Sequence, residues 1–140
     1  MKLFLKLVLS IYIFLYRLTN GAIGGRMAGL DVLLLTTKGR KTGQPRTSPL
    51  GYFKQDGNFV VIASNGGADQ NPAWFYNLKS NPQVTVQIGK EQLKAKAEVV
   101  DAQKRTQMWA DLVKMAPTYG RYEQSTKRQI PLVILQPVQG

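Results

Sequence analysis

The residues best suited to chemistry lie in one short run, Thr36-Thr37-Lys38-Gly39-Arg40-Lys41-Thr42-Gly43-Gln44-Pro45-Arg46. It packs four cations, two glycines and three threonines into eleven residues with no carboxylate among them. Many donors on a pliable backbone suit a multiply charged anion such as a phosphate. The run is not a Walker loop, because three residues instead of four separate Gly39 from Gly43 and no Gly-Lys-Ser/Thr follows. The competing reading is a solvated basic turn.

The rest of the composition narrows the chemistry by exclusion. The chain has no Cys and no His, so thiolate or imidazole metal sites, disulfides, cysteine nucleophiles and Ser-His-Asp triads are out. Its eight carboxylates are scattered singly, which gives little support to paired acid/base work. An enzyme built this way needs a borrowed cofactor to carry the reaction. A net charge of +11 points to an anionic partner: nucleic acid, acidic ligand or anionic membrane face. Nucleic acid is disfavoured, because no aromatic residue is interleaved with the cations of the loop. The absence of Cys fits a reducing cytoplasm. At 140 residues, 44% hydrophobic and 19% charged, the chain builds a single globular core.

The loop stands between two strands. Asp31 to Thr37 contains the unbroken apolar run Val32-Leu33-Leu34-Leu35 of a buried strand, and Arg46 to Lys54 is strand-like again. Pro49 marks an edge or a bulge there. Asp56-Gly57 is a hairpin turn signal, and Asn58 to Ala63 is the return strand. Asn71 reads as the N-cap of a short helix with Pro72 in its first turn, ended by Asn81-Pro82. Phe75 and Leu78 read as core, whereas Trp74 and Asn77, three apart, share a face free for another task. Residues 83–88 and 92–99 alternate as a hairpin about Gly89-Lys90. Asp101 caps a helix with the core stripe Met108, Trp109, Leu112, Val113 and Ala116, which Pro117 stops. A helical or irregular piece from Thr118 to Lys127 carries Tyr119 and Tyr122, and Ile130 to Gln136 closes the fold. Six mainly antiparallel strands with inserted helices predict an α+β chain built on a small closed or nearly closed barrel.

Ahead of this body, residues 1–18 are apolar except for Lys2, Lys6, Ser10 and Arg17 on one narrow helical stripe. The uncharged stretch 7–16 is too short to span a bilayer, and Lys6 interrupts a signal-peptide pattern that also lacks a small-residue cleavage site. The preferred reading is an amphipathic helix lying in a membrane interface; the alternative is a helix packed on its own domain or on a second subunit. Residues 20–29, with four glycines, read as a linker. The division is therefore a helix over 1–20 and a barrel over 21–140.

Several pieces in unbroken order carry a resemblance: Leu34 to Gly43 with Arg46, Pro49 and Leu50; Ala63-Ser64-Asn65-Gly66-Gly67; Pro72-Ala73-Trp74 with Asn77-Leu78; Asn81-Pro82; and Arg128-Gln129-Ile130-Pro131. From about residue 15 to the C-terminus the chain resembles the deazaflavin-dependent nitroreductases, a branch of the split β-barrel flavin- and deazaflavin-binding proteins. The resemblance implies a reductase using reduced coenzyme F420, which carries a phosphodiester and a polyglutamate tail. Hydride would pass from the deazaflavin to a menaquinone-like quinone or a nitroaromatic acceptor. On that basis Arg40, Lys41 and Arg46 hold the phosphate, and Lys38 attracts the tail. Pro49 and Leu50 offer backbone groups to the polar edge of the ring. Ala63, Ser64 and Asn65 line the ring, and Trp74 with Asn77 closes its far side. Ser64, Tyr119 and Tyr122 are the candidate catalytic hydroxyls, stabilising charge on the acceptor oxygen; the alternative is that the two tyrosine rings cover the barrel mouth. Some relatives place a further Tyr where this chain has Ser125, which bears on the acceptor. No metal is expected. FMN is the alternative cofactor on the same fold, and a non-catalytic lipid or cofactor carrier is the alternative function. The protein is expected to be a monomer or homodimer, cytoplasmic and peripheral on the inner face of the membrane.

Overall fold

The computed structural model describes residues 2–138. It opens with α1 (Lys2–Leu18) and a two-residue strand β1 (Arg26–Met27), followed by β2 (Leu30–Lys38), β3 (Pro45–Gln55) and β4 (Asn58–Ile62). After α2 (Ala73–Ser80) come β5 (Gln83–Ile88) and β6 (Glu91–Val99), then α3 (Ala102–Met115), α4 (Thr118–Gln124) and β7 (Leu132–Pro137). The sheet runs β2-β3-β4-β7-β6-β5 and closes when residues 34–36 of β2 pair with 85–87 of β5, every pairing antiparallel. This is the expected six-stranded barrel, and closure removes most free strand edges.

The unbroken apolar run of β2 is explained by burial on both faces. Leu33 and Leu35 point into the barrel with Val61, Val86, Val133 and Leu135. Val32 and Leu34 point outward under Tyr12, Ile13 and Tyr16 of α1. Each fully buried Leu contributes about 1.5–3 kcal/mol of transfer free energy. On another outer face, Met108, Trp109 and Leu112 of α3 cover Val60, Ile62 and Leu132.

Local signals act as expected at two points. Asp56 and Gly57 both have positive φ (54° and 79°), the primed turn whose twist suits a two-residue hairpin. The Asp101 side chain accepts from the Lys104 amide at 2.9 Å and caps α3. Two expectations need correction. The glycine-rich segment is not all linker: Ala28 and Gly29, at φ 51° and 88°, fold Met27 back beside Leu30 to make β1. Asn71 does not cap α2; Pro72 holds the N-cap position with no side-chain bond, and Asn71 Oδ1 instead accepts from Arg128 Nη1 at 2.6 Å. A charge-assisted bond of this kind outcompetes a neutral cap.

The C-terminal half of α1 is anchored by Tyr16, which is 1% exposed. Its hydroxyl donates to the Val32 carbonyl and accepts from the Gly89 amide, both at 2.9 Å. The Tyr12 hydroxyl donates to the Gly24 carbonyl, and Arg17 Nε donates to Gln87 Oε1 at 3.3 Å. Tyr16→Phe would leave the half-buried Gly89 amide unpaired and remove the hydroxyl's bond to Val32 O, so thermal unfolding should report a loss of about 1–2 kcal/mol. The N-terminal half of α1 and the face turned away from the barrel are exposed, with Leu3 at 81% and Phe14 at 63%. Met1 and the Lys2 side chain, part of the basic stripe, lie outside the described residues. Among the described residues no helix is long and apolar enough to cross a membrane.

Candidate functional site

The basic loop joins β2 to β3 and is held by its own backbone. The Gly39 amide donates to Gln44 O at 2.8 Å, and the Gly43 amide to Gly39 O at 2.7 Å. A side chain at Gly39 would stand 3.0 Å from Gln44 O and 3.1 Å from Thr42 Oγ1, so the turn can tighten only around glycine. Asn77 braces it from α2: Oδ1 accepts the Arg40 amide and Nδ2 donates to Thr37 Oγ1, each at 3.1 Å. The Arg40 guanidinium lies 4.9 Å from the centre of the Tyr76 ring, a stacking contact that orders a long cation.

Beside this loop is a cleft of about 700 Å³. One wall is Ser48 to Gly51 of β3. That strand pairs with β2 along its whole inner half, yet β4 joins it only from Tyr52 onward. Among the described residues, no strand covers the outer edge of residues 45–51, and their main-chain groups on that side are open to a ligand. Pro49 is therefore an edge proline without a bulge, since the β2 ladder runs straight through it. The opposite wall comes from Ser64, Asn65 and Gly66 with the start of α2, and Tyr119 and Tyr122 of α4 close one end.

Tyr119 is 4% exposed. It reaches the cleft because Gly51 has no side chain: a Cβ there would meet the Tyr119 hydroxyl at 2.7 Å. The Tyr119 and Tyr122 rings meet edge to face, centroids 5.5 Å apart. Burial, and secondly Tyr122, pushes the Tyr119 phenol up to about 12 from 10.0, so the hydroxyl keeps its proton at any physiological pH. The raised value favours the folded state below pH 10, and that contribution is lost as pH rises from 10 through about 12. A Tyr119→Phe protein should lose less stability than the wild type over that window, measured by chemical denaturation at stepped pH.

The structure brings Arg40, Pro49, Leu50, Ser64, Asn65, Trp74, Tyr119 and Tyr122 onto this one cleft. Lys38, Lys41, Arg46, Ala63 and Asn77 stand outside its lining. Ala63 is wholly buried, and Asn77 acts through the loop. Lys41 is exposed. Arg46 faces a neighbouring depression with Lys6 and Arg17, and Leu9 of α1 borders both spaces. Lys38 lines a separate groove of about 940 Å³ with Lys94 and Lys96. That groove is larger, but it lacks the aromatic surface that the cleft sets beside a cation, an open strand edge and hydroxyls. Sequence reasoning missed Tyr76 and Gly51; a glycine inside a strand was the available sign of a close approach. Among the described residues no cluster of carboxylates could hold a metal ion.

Comparison with known proteins shows which family the chain resembles. Residues 10–137 match the model of the F420H(2)-dependent quinone reductase family. An F420H(2)-dependent quinone reductase of Mycobacterium tuberculosis is 38% identical over 125 residues, covering 86% of this chain and 84% of the relative. A solved F420-H2 dependent reductase superposes with a TM-score of 0.68 at 35% identity, covering 75% of this chain and 93% of that one. A solved domain-swapped dimer superposes with a TM-score of 0.71 at 32% identity, covering 91% and 93%.

Proposed function

Because the chain belongs to the F420H(2)-dependent quinone reductase family, we propose that the cleft along the open edge of β3 is where it binds coenzyme F420 and reduces its acceptor. The protein is an oxidoreductase that uses reduced F420 and a quinone-type acceptor. The donor set fits the cofactor. Arg40 offers a fixed cation for a phosphate, the β3 edge offers main-chain groups to a polar ring edge, and Pro49, Leu50 and Trp74 offer flat apolar surface. When bound, the reduced deazaflavin supplies the hydride.

The protein's part is to bind and orient. Arg40, with Lys41 and Arg46 nearby, holds the phosphate. Lys38, on the outer groove, draws the polyglutamate tail at longer range. Ser64 and Asn65 flank the ring with the buried Ala63 behind them, Trp74 closes its far side, and Asn77 keeps the loop in place. Ser64, Tyr119 and Tyr122 offer hydroxyls to the acceptor oxygen, where negative charge develops. The acceptor is a flat, electron-poor molecule, either a menaquinone-like quinone or a nitroaromatic. The observation that carries this reading is the convergence of the open β3 edge, Arg40 and the two α4 tyrosines on one cleft.

The exposed apolar face of α1, with Lys6 and Arg17 on its polar side, lies on an anionic membrane surface, making the protein peripheral on the cytoplasmic face. Since Tyr16 belongs to the core, the helix of 1–20 is an appendage docked on the barrel of 21–140 and should be tested by substitution instead of deletion. Changing Leu3, Phe4 and Leu7 to Ser should release the protein from anionic vesicles in a flotation assay; unchanged flotation refutes the attachment. The domain-swapped relative makes a homodimer the form to look for by light scattering.

The deciding experiment is a fluorescence titration of F420 followed by mixing F420H2 with a soluble naphthoquinone. Saturable quenching and oxidation of F420H2 are expected. Binding of FMN with no response to F420 would overturn the cofactor, and binding without quinone reduction would make the protein a carrier.

A further inference from the structure

The segment between β4 and α2 supplies Ser64, Asn65, Gln70 and Asn71 to the cleft, yet it has almost no regular structure to hold it. Its one ordered piece is a single 3-10 turn at Asn65–Gly67. Three consecutive residues, Asn65, Gly66 and Gly67, are left-handed at φ 49°, 64° and 84°. Such a path does not persist unless its surroundings impose it.

One side chain meets four of the segment's acceptors. Arg128 Nε donates to Ala68 O at 2.9 Å, and Nη1 to Asn71 Oδ1 at 2.6 Å. Nη2 donates to both Ala63 O, at 3.1 Å, and Ser64 O, at 2.9 Å. All four partners belong to this segment or its first residue, and none to the paired part of a barrel strand. The planar fork of a guanidinium can serve carbonyls converging from several directions; an ammonium carries fewer donors on a tetrahedral centre. Ser125 adds a lesser tie, its Oγ standing 3.1 Å from Gly67 O and 2.8 Å from Tyr122 O.

We propose that Arg128 is a positioning residue for the reaction: its guanidinium holds the 63–71 segment in the conformation that presents Ser64 and Asn65 to the cleft. The statement about what the segment touches rests on the cofactor reading above; the statement that Arg128 holds it does not. Arg128 itself acts through the loop and not on the reacting atoms.

The test compares the wild type with Arg128→Lys and Arg128→Met. With the fork lost, amide exchange at Gly67 and Ala68 in the cofactor-free protein should quicken about tenfold or more, while exchange in β5 and β6 stays as in the wild type. F420 affinity should fall roughly tenfold to thirtyfold, and kcat should fall about tenfold with the quinone KM within about threefold. Lys and Met should behave alike. Three results would overturn the proposal: local exchange unchanged, exchange rising equally across the whole barrel, or full rescue by Lys, which would reduce Arg128 to a charge. Should the variants not fold, the wild type still decides. Gly67 and Ala68 amides protected at least tenfold over an unstructured peptide support a held loop, and unprotected amides refute it. A wild type that does not quench F420 would sink the cofactor reading, and the exchange data would still judge Arg128.

Discussion

An Arg40→Ala enzyme should bind F420 about a hundredfold more weakly than the wild type while its turnover at saturating cofactor stays within a few-fold. A charge-assisted contact of a guanidinium with a phosphate contributes about 1.5–3 kcal/mol, and each 1.4 kcal/mol is a factor of ten. The substitution isolates that contact. The Arg40 amide bond to Asn77 Oδ1 is main chain and survives in alanine, so the loop keeps its brace and loses only the charge and its stack on Tyr76. Tyr76→Leu, which leaves the cation but removes its platform, should show a smaller loss of the same kind. Isothermal or fluorescence titration with single-turnover kinetics separates the two quantities. A loss confined to turnover would move the phosphate away from Arg40, toward Lys41 and Arg46.

Gly67→Ala should be the most damaging small substitution in the site. Gly67 is buried with φ +84°, and an added Cβ would stand 2.1 Å from Ser125 Oγ and 3.2 Å from Tyr122 O. The left-handed backbone alone costs a residue with a side chain about 1–2 kcal/mol. Ser125 Oγ can rotate away only by giving up its contacts with Gly67 O and Tyr122 O, and the Tyr122 carbonyl must give by a few tenths of an ångström, which together bring the loss to about 2–3 kcal/mol and lower Tm by roughly 7–10 °C. A shift of the Tyr122 main chain also moves its hydroxyl in the cleft, so turnover should drop several-fold beyond any loss of folded protein. Gly66 supplies the control. It is left-handed too, at φ +64°, but nothing lies within 4 Å of a Cβ built there, so Gly66→Ala should cost the backbone strain alone. Thermal unfolding of the two variants side by side distinguishes crowding from strain.

What the sequence made legible follows from the range of the forces involved. Strand spans, the Asp56-Gly57 turn and the Asp101 cap depend on neighbours a few residues away, and they appear where periodicity and turn chemistry put them. The ring closure of β2 on β5 joins residues some fifty apart, and only the count of strands hinted at it. β1 escaped notice because two residues carry no period. Asn71 looked like a cap because its competing partner, Arg128, is 57 positions away. Trp74 and Asn77, three apart on α2, were expected to act together; instead Trp74 meets the cleft while Asn77 turns to Thr37 and Arg40. Tyr76, between them in the chain, is the residue that engages the Arg40 side chain. Side-chain partners chosen across the fold are what local pattern cannot rank.

The half-open strand β3 also bears on how the molecule keeps to itself in solution. Residues 45–51 form the longest unpartnered strand edge of the described barrel, and such an edge invites a strand from another copy. Pro45 and Pro49 stand in that stretch, and a proline has no amide proton to lend to a foreign strand. The same two residues leave their carbonyls free, so the edge resists aggregation while still accepting a small donor-bearing ring. A ligand seated there would act as a surrogate strand and cover the main-chain groups that the two prolines leave exposed.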